Sequence, residues 1–344
     1  MTSDSRPIAG IDTDAVSRWL ADNVDGFAGP AQFSLIAGGR SNLTYLVTDS
    51  GGRRVALRRP PTGSVLESAH DMGREWKFVS ALQGTGVPVA QPLAFCQDQS
   101  VTGADFYVMD FVDGIVLGDA EDATQLTEQA RHHASEQAAD VLALLHGLDV
   151  NQLDVPGSRK TTGYIPRQVE RWTVQVQAVM PPETDQVARI AQKLIEDVPP
   201  QVTGIAHGDY RLGNLSFDQD GNILAIFDWE LATVGDSMAD LGWLMSSWSE
   251  PGETAFAATT HTPTQAGGFM TRREVAERYS AKSGNDISRL DYYVAFQRWR
   301  GACIQLGVRH RYQVGAMGDD GYDYRVLDAT ISGALDAAEK DLAR

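Results

Sequence analysis

The chain has 344 residues, of which 42% are hydrophobic and 22% are charged, and its formal net charge is −17. This length allows two lobes that each bury a core, and the composition is typical of a soluble globular protein. The acidic balance argues against nucleic acid as a partner, because phosphate backbones are bound by basic surfaces. It is compatible with a cationic substrate.

The chain carries no signal for a membrane or a secretory route. No stretch approaches the length of a membrane span, and residues 1–7 lack the apolar core of a secretory signal. Cys96 and Cys303 suggest neither a disulfide framework nor a metal site. We therefore expect a cytoplasmic protein with reduced thiols and no membrane partner. The sequence carries no indication of oligomeric state.

The first third of the chain predicts a small α+β lobe with an antiparallel sheet. Short β-rich runs are separated by glycine-containing turns, and two amphipathic segments predict helices. The helices are expected over 12–23 and 71–82, and the strands over 33–36, 43–47, 54–58, 93–96 and 105–111. The lobe is expected to end near Val112-Asp113-Gly114, which is a plausible hinge.

The rest of the chain predicts a larger, mainly helical lobe. Its apolar residues recur with a helical period. The predicted helices cover 124–148, 164–180, 185–198, 271–282, 288–311 and 322–342. The segment 250–268, rich in Thr, Ala, Pro and Gly, predicts a loop.

The most informative segment is His207-Gly208-Asp209-Tyr210-Arg211-Leu212-Gly213-Asn214. Asp209 is followed by Asn214 five residues later (214 − 209), and by Asp228 after the apolar run Ile223–Phe227. Phosphoryl transfer from a nucleotide needs one carboxylate for the attacking hydroxyl, and a carboxamide and a second carboxylate for the metal. The spacing matches that of a kinase catalytic loop, with HGD in place of HRD.

Residues 207–244 resemble the aminoglycoside phosphotransferase and choline kinase family, and the resemblance extends more loosely back to Gly38. It implies the α+β, bilobal protein-kinase-like fold, with a small antiparallel-sheet lobe and a larger helical lobe. Residues 1–112 would form the lobe that binds nucleotide phosphates and adenine. Residues 113–344 would form the lobe with the catalytic loop, the metal site and the acceptor site.

Asp209 is the predicted catalytic base, which would orient the attacking hydroxyl and accept its proton. Arg211 is placed to neutralise charge on the moving phosphoryl group. Asn214 and Asp228 offer the oxygen ligands that Mg²⁺ prefers. The alternatives are structural: a turn for Asp209, a surface ion pair for Arg211, a turn cap for Asn214 and a helix cap for Asp228.

Arg58 ends the strand Val55-Ala56-Leu57-Arg58, which resembles the kinase strand whose lysine binds nucleotide phosphates. Arginine in place of lysine is a departure, because its head is larger and flatter. Strand alternation predicts that Arg59 points to the other face. The expected partner of Arg58 is Glu75, whose alternative is a solvated helix charge.

Two further segments are assigned to the nucleotide. The turn that contains Gly38, Gly39 and Ser41 predicts a phosphate contact through backbone N–H groups, with a plain hairpin turn as the alternative. Backbone groups near Asp110 and Val112 are placed to hydrogen-bond an adenine edge. The residues leave both ATP and GTP open as the nucleotide.

Several polar and aromatic residues near the motif predict structural roles. His207 is expected to support the loop by packing and hydrogen bonding. Asp236 and Asp240 are expected to cap a helix or hold the catalytic loop. The tryptophans of the helical lobe are expected in the core. The alternative is that they form an aromatic wall for a cationic substrate.

These patterns predict an ATP- and Mg²⁺-dependent kinase that phosphorylates a hydroxyl of a small molecule. The scaffold suits aminoglycoside, choline, homoserine, sugar and acyl-chain hydroxyls alike. The sequence contains no recognisable motif that selects among these acceptors. The alternative is a nucleotide-binding regulator without turnover, motivated by arginine at position 58. A protein kinase is disfavoured, because the DFG and APE segments are missing.

Overall fold

The computed structural model describes residues 8–37, 42–62, 71–157, 162–253, 262–316 and 321–343. The chain divides into two compact units. The first contains Met1–Asp113 together with the short segment Phe227–Glu230, and the second contains Gly114–Ile226 and Leu231–Arg344. Asp228 therefore groups with the N-terminal unit, although the chain on both sides of its segment belongs to the other.

The first unit is built on a five-stranded sheet with the strand order β1-β2-β3-β5-β4. All neighbouring pairs are antiparallel, as predicted. The strands are β1 (Gln32–Ala37), β2 (Leu43–Thr48), β3 (Arg54–Arg59), β4 (Pro92–Cys96) and β5 (Phe106–Asp110). The helices are α1 (Thr13–Asn23), α2 (Met72–Ala81) and α3 (Gln99–Thr102).

The alternation along β3 sorts its side chains between two apolar clusters. Val55 and Leu57 belong to the cluster that includes residues of α1, whereas Ala56 belongs to the cluster that includes Met72 of α2. Because successive side chains of a strand point to opposite faces, Arg58 lies on the α2 side of the sheet and Arg59 on the other side.

The second unit is mainly helical, with two small antiparallel sheets. The helices are α4 (Ala120–Ala123), α5 (Glu128–His146), α6 (Tyr164–Val179), α7 (Thr184–Glu196), α8 (Met238–Ser246), α9 (Arg272–Ser283), α10 (Leu290–Gln313) and α11 (Val326–Asp341). The strands are β6 (Ile115–Val116), β7 (Thr203–Ala206), β8 (Leu215–Phe217), β9 (Ile223–Ile226) and β10 (Thr233–Asp236). β10 pairs with β7, and β6, β8 and β9 form the other sheet.

The sequence prediction missed several short elements of this unit. It did not anticipate β6, β7, β8, β10 or α8, because strands of two to four residues carry little periodicity and α8 is buried on every side. The helix predicted over 124–148 is shorter: the chain turns after α4, and α5 begins behind its cap Thr127. Part of the predicted loop 250–268 is a 3-10 turn at Pro263–Ala266, and 254–261 lie outside the described residues.

α10 is the central helix of the second unit. It packs against α6, α8 and α11, and thirteen of its residues are buried. The buried residues of α10 include polar side chains as well as apolar ones, among them Gln297 and Arg300. Across the described part of the chain, no helix combines the length and the apolar character needed to cross a membrane.

Candidate functional site

The first unit contains a buried ion pair between β3 and α2. Arg58 Nε donates to Glu75 Oε2 at 2.8 Å. Only 9% of Arg58 and 1% of Glu75 is exposed. The predicted pairing of these two residues is therefore confirmed, and Glu75 is not a solvated helix charge.

Neutral and charged groups complete the surroundings of this pair. Glu75 also accepts from Asn42 Nδ2 at 2.6 Å and from the Tyr107 hydroxyl at 3.1 Å. Arg58 donates to Thr44 Oγ1 at 3.2 Å and to Asp228 Oδ1 at 2.5 Å. Both oxygens of Glu75 and three of the five N–H donors of Arg58 are thus engaged.

The electrostatics of the pair keep the guanidinium charged. Burial acts to lower the pKa of Arg58, but the interactions with Glu75, Tyr107 and Asp228 together outweigh it and raise the pKa above its usual range. Burial raises the pKa of Glu75, and Arg58 opposes that shift. Burial also raises the pKa of Tyr107 well above its usual value, so Tyr107 stays a hydrogen-bond donor.

Asp228 has a backbone φ of +66°, in the left-handed region that aspartate tolerates better than most side chains. The segment around it is anchored by its neighbours: Phe227 packs against the α2-side cluster, and Trp229 stacks on Phe78 of α2 with ring centroids 6.4 Å apart. The Asp228 carboxylate is therefore positioned by two aromatic anchors and by Arg58.

The remaining nucleotide-site predictions in the first unit have different outcomes. Arg59 lies on the opposite face from Arg58, as predicted, and donates to the carbonyl oxygen of Gly10. Gly38, Gly39 and Ser41 lie outside the described residues. The Asp110 N–H donates to the Gln91 carbonyl at 2.8 Å, so this N–H is not available for an adenine edge. Val112 is partly buried against the α2-side cluster.

In the second unit, the predicted catalytic loop follows β7. The buried carboxylate of Asp240, in the first turn of α8, accepts from the N–H of His207 at 2.5 Å and from the N–H of Gly208 at 2.8 Å. The expectation that Asp240 holds the loop is confirmed. Asp236 accepts from the Val202 and Met238 N–H groups and from the Tyr293 hydroxyl, and is likewise structural.

Asp209 is held through both its main chain and its carboxylate. Its N–H donates to His207 Nδ1 at 3.2 Å, and its carbonyl accepts from Asn214 Nδ2 at 2.8 Å. Asn214 Nδ2 also donates to Asp209 Oδ2 at 2.7 Å. His207 is fully buried, which agrees with its predicted scaffold role, and the Asp209 side chain is 21% exposed.

Arg211 lies beside the predicted base. Its Nε is 3.5 Å from Asp209 Oδ1, and its side chain is 24% exposed. A Cβ at Gly213 would lie 2.2 Å from Arg211 Nη1, so glycine at 213 gives the guanidinium its space. Arg211, Gly213 and Trp248 also line a shallow recess.

Sequence reasoning missed Arg300 and Gln297 of α10. Arg300 Nη1 donates to the Gly208 carbonyl at 3.1 Å and to Gln297 Oε1 at 3.0 Å. Gln297 Nε2 donates to the Ala239 carbonyl of α8 at 2.6 Å. The only signal in the sequence was that both fall among the buried positions of a predicted helix, which does not identify what they contact.

The tryptophans are mostly core residues, as expected. Trp229, Trp243, Trp248 and Trp299 are buried. Within the described ranges, no group of three or more His, Cys, Asp or Glu side chains could hold a metal ion. A magnesium ion held by one carboxylate, one carboxamide and nucleotide phosphates would not need such a group. The Asn214 bonds use its amide nitrogen, which leaves its oxygen as the atom for a cation.

The chain matches the model described as "Phosphotransferase enzyme family" over residues 32–274. A mouse protein, acyl-CoA dehydrogenase family member 10, is 32% identical over 316 residues, which are 90% of this chain and 29% of the mouse protein. The chain thus spans less than half the length of the curated relatives it matches.

Two solved structures share the fold. A candidate aminoglycoside phosphotransferase from Ralstonia eutropha is 29% identical, with a TM-score of 0.75 over 96% of this chain and 98% of that one. The GDP complex of aminoglycoside 2′-phosphotransferase-IIIa has a TM-score of 0.62 at 14% identity, over 96% of this chain and 99% of that one. The predicted α+β, protein-kinase-like fold is confirmed.

Proposed function

We propose that this chain, which belongs to the phosphotransferase enzyme family, transfers the γ-phosphate of a nucleoside triphosphate to a hydroxyl of a small molecule, with Asp209 as the base. The observation that carries the proposal is the support of Asp209. Its N–H and carbonyl are both hydrogen-bonded inside the loop, whereas its carboxylate remains partly exposed. A fixed carboxylate with solvent access is what a general base requires.

In the proposed reaction, the acceptor hydroxyl donates its hydrogen bond to the Asp209 carboxylate. The hydroxyl oxygen forms a bond to the γ-phosphorus as the bond to the β,γ-bridging oxygen breaks, and the nucleoside diphosphate leaves. The hydroxyl proton passes to Asp209. Arg211, which already lies 3.5 Å from that carboxylate, is placed to neutralise charge on the phosphoryl group.

We assign Asn214 and Asp228 as the magnesium ligands. The donor set fits the ion, since a carboxamide oxygen and a carboxylate oxygen are the hard ligands that Mg²⁺ takes while phosphates and water fill the other positions. When bound, the ion would screen the charge of the β- and γ-phosphates. Asn214 would also connect the magnesium site to the proposed base, because its amide nitrogen donates to Asp209 Oδ2.

We assign the first unit to the nucleotide. Arg58 retains two N–H donors beyond its bonds to Glu75, Thr44 and Asp228, and these would bind phosphate oxygens. Glu75 would fix the direction of the guanidinium. The turn with Gly38, Gly39 and Ser41 would cap the phosphates, and backbone groups at Asp110 and Val112 would bind the base.

The identities of the nucleotide and of the acceptor are proposed from the relatives. Because a protein of the same fold was solved with GDP, GTP is tested beside ATP in every experiment. For the acceptor, the Ralstonia relative motivates an aminoglycoside. The mouse relative, whose name specifies acyl-CoA chemistry, motivates a hydroxyacyl thioester of coenzyme A. The net charge of −17 is compatible with cationic acceptors.

Nucleotide binding is tested first, by calorimetry with ATP and GTP, each with and without Mg²⁺, on wild type and Asp228→Ala. We expect Mg²⁺-dependent binding that the variant loses. Equal binding by both proteins, with and without the ion, would overturn the assignment of Asp228.

Transfer is tested next, by mass spectrometry of acceptor panels that contain aminoglycosides, choline-like amines, sugars and hydroxyacyl-CoA thioesters. We expect one class to gain a phosphate and Asp209→Asn to slow that transfer by roughly 10²- to 10⁴-fold. An unchanged rate in Asp209→Asn would show that another group is the base. Tight nucleotide binding with no transfer to any class would favour the non-catalytic regulator motivated by Arg58.

A further inference from the structure

The main chain on either side of Gly208 is held from outside the loop. The N–H groups of His207 and Gly208 donate to Asp240. The Gly208 carbonyl accepts from Arg300 Nη1 at 3.1 Å. The peptide that joins Gly208 to Asp209 is therefore fixed at its carbonyl by Arg300 and at its N–H by His207 Nδ1, 3.2 Å away.

This peptide needs external support because of the glycine. Gly208 has a φ of +86°, and glycine populates both signs of φ about equally. The peptide planes beside a glycine therefore have alternative orientations, and the residue after it would turn with the plane. Since Asp209 is that residue, whatever holds the Gly208 carbonyl also sets the direction of the Asp209 side chain.

Burying the charged side chain of Arg300 in the core costs free energy. Arg300 is 5% exposed. Among the residues that the structure describes, its hydrogen bonds go to neutral oxygens, those of Gly208 and Gln297. Its Nε is buried without a partner. Burial of a guanidinium without a carboxylate partner is unfavourable, so the contact to the loop is the feature that explains its presence.

The guanidinium is itself kept in place by α8. Its second bond goes to Gln297 Oε1 at 3.0 Å, and Gln297 Nε2 binds the Ala239 carbonyl. The guanidinium also lies over the Trp243 ring, 5.7 Å from its centroid. α8 thus holds the loop twice, directly through Asp240 and indirectly through Gln297 and Arg300.

We propose that Arg300 is a positioning residue that fixes the Gly208–Asp209 peptide and thereby aims the Asp209 carboxylate during phosphoryl transfer. The inference rests on the proposed role of Asp209 as the base. A mainly structural role for Arg300 would change the stability of the protein and leave the loop and the turnover of the folded fraction unaltered.

The experiment compares Arg300→Met, Arg300→Lys and a matched control on the same helix. Arg309→Met removes another buried arginine of α10, which is 6% exposed and binds Glu183 and Asp328 instead of the loop. Hydrogen exchange is followed in peptides that span 207–214 and in peptides of α8 and α11, and kcat and KM are measured for the nucleotide.

We expect Arg300→Met to speed exchange in 207–214 by about tenfold, as the loss of one charged hydrogen bond would do, with exchange in α11 unchanged. kcat should fall by roughly 10- to 100-fold, the effect of a small misplacement of a reacting group, while the nucleotide KM changes by less than about twofold. Arg300→Lys should recover part of both effects, and Arg309→Met should show neither.

Unchanged loop exchange and unchanged kcat in Arg300→Met would overturn the proposal, and so would equal effects in Arg309→Met. If Arg300→Met loses protection from hydrogen exchange throughout the protein, loop exchange and kcat of Arg300→Lys decide the question instead. A wild-type protein without transferase activity would instead contradict the proposed function, while hydrogen exchange would still report whether Arg300 holds the peptide.

Discussion

Arg58 of the first unit and Asp209 of the second are positioned by different kinds of contact. Arg58 is fixed by side-chain charges, because Glu75 and Asp228 both accept from its guanidinium. Asp209 is held by bonds from its own peptide groups to His207 and Asn214, and its partly exposed carboxylate also accepts from Asn214 and lies beside Arg211. One arrangement depends on charge balance in a buried place, and the other on the path of the backbone.

The difference predicts how each region responds to substitution. Removal of one member of a buried ion pair leaves an uncompensated charge, so the first unit should lose stability. A change in the loop of the second unit should mainly displace the carboxylate, so catalysis should be more sensitive than stability. The following predictions test this contrast.

The largest effect is expected at Glu75. Glu75→Ala leaves the buried Arg58 without its main partner, removes the acceptor of the Tyr107 hydroxyl, and leaves Asn42 Nδ2 with only its longer bond to Glu230 Oε2 at 3.5 Å. We expect the free energy of unfolding to fall by about 3–5 kcal/mol, measured by urea denaturation with tryptophan fluorescence. The double variant Arg58→Met/Glu75→Leu removes both charges and should recover most of that loss. Equal instability of the single and double variants would show that charge balance is not what matters.

The second effect concerns Asp236, where burial raises the pKa to about 6. The unfolded chain releases this proton near its ordinary value of 3.8, so between these values the folded state binds more protons and its stability falls as the pH rises. Relative to Asp236→Asn, which keeps the shape without the charge, wild type should lose about 3 kcal/mol between about pH 4 and pH 7. Parallel pH–stability curves for the two proteins would contradict this.

A third effect separates backbone strain from steric conflict. Gly208 has a φ of +86°, and a Cβ there would lie 2.8 Å from Leu231 Cβ. Gly52 has a φ of +87° with no atom within 4 Å of such a Cβ. Gly52→Ala should cost about 1 kcal/mol, from the left-handed backbone alone. Gly208→Ala should cost more, about 2–3 kcal/mol, and should also lower kcat. Similar stabilities and rates for the two variants would remove the steric argument.

The smallest effect is expected at a helix cap of the second unit. Thr271 and Glu274 form a capping box at the start of α9. Thr271→Ala should reduce stability by about 1 kcal/mol, and Thr271→Ser should restore it. Neither variant should change kcat. A loss of turnover in Thr271→Ala would mean that the loop responds to general stability, and the contrast between the two units would then fail.

The sequence predicted the helices and strands that have clear periodicity. β1, β2 and β3 and the long helices were found with boundaries off by a few residues, since alternation and helical period follow directly from side-chain direction. The pairing of Arg58 with Glu75 was also predicted, because the resemblance to a known family placed both. The short strands and α8 were missed, because two- to four-residue strands and a helix that is buried on every side have no distinctive period.

The sequence by itself determined which side chains we propose to be reactive: Asp209, Asn214 and Asp228 were selected by their type and spacing. Only the tertiary structure decided how they are held. Three features involve residues that are far apart in the chain. Asp240 binds the loop N–H groups, Arg300 of α10 binds the Gly208 carbonyl, and Asp228 groups with the first unit. Long-range contacts arise from packing, which brings distant segments together without leaving a local pattern in the sequence.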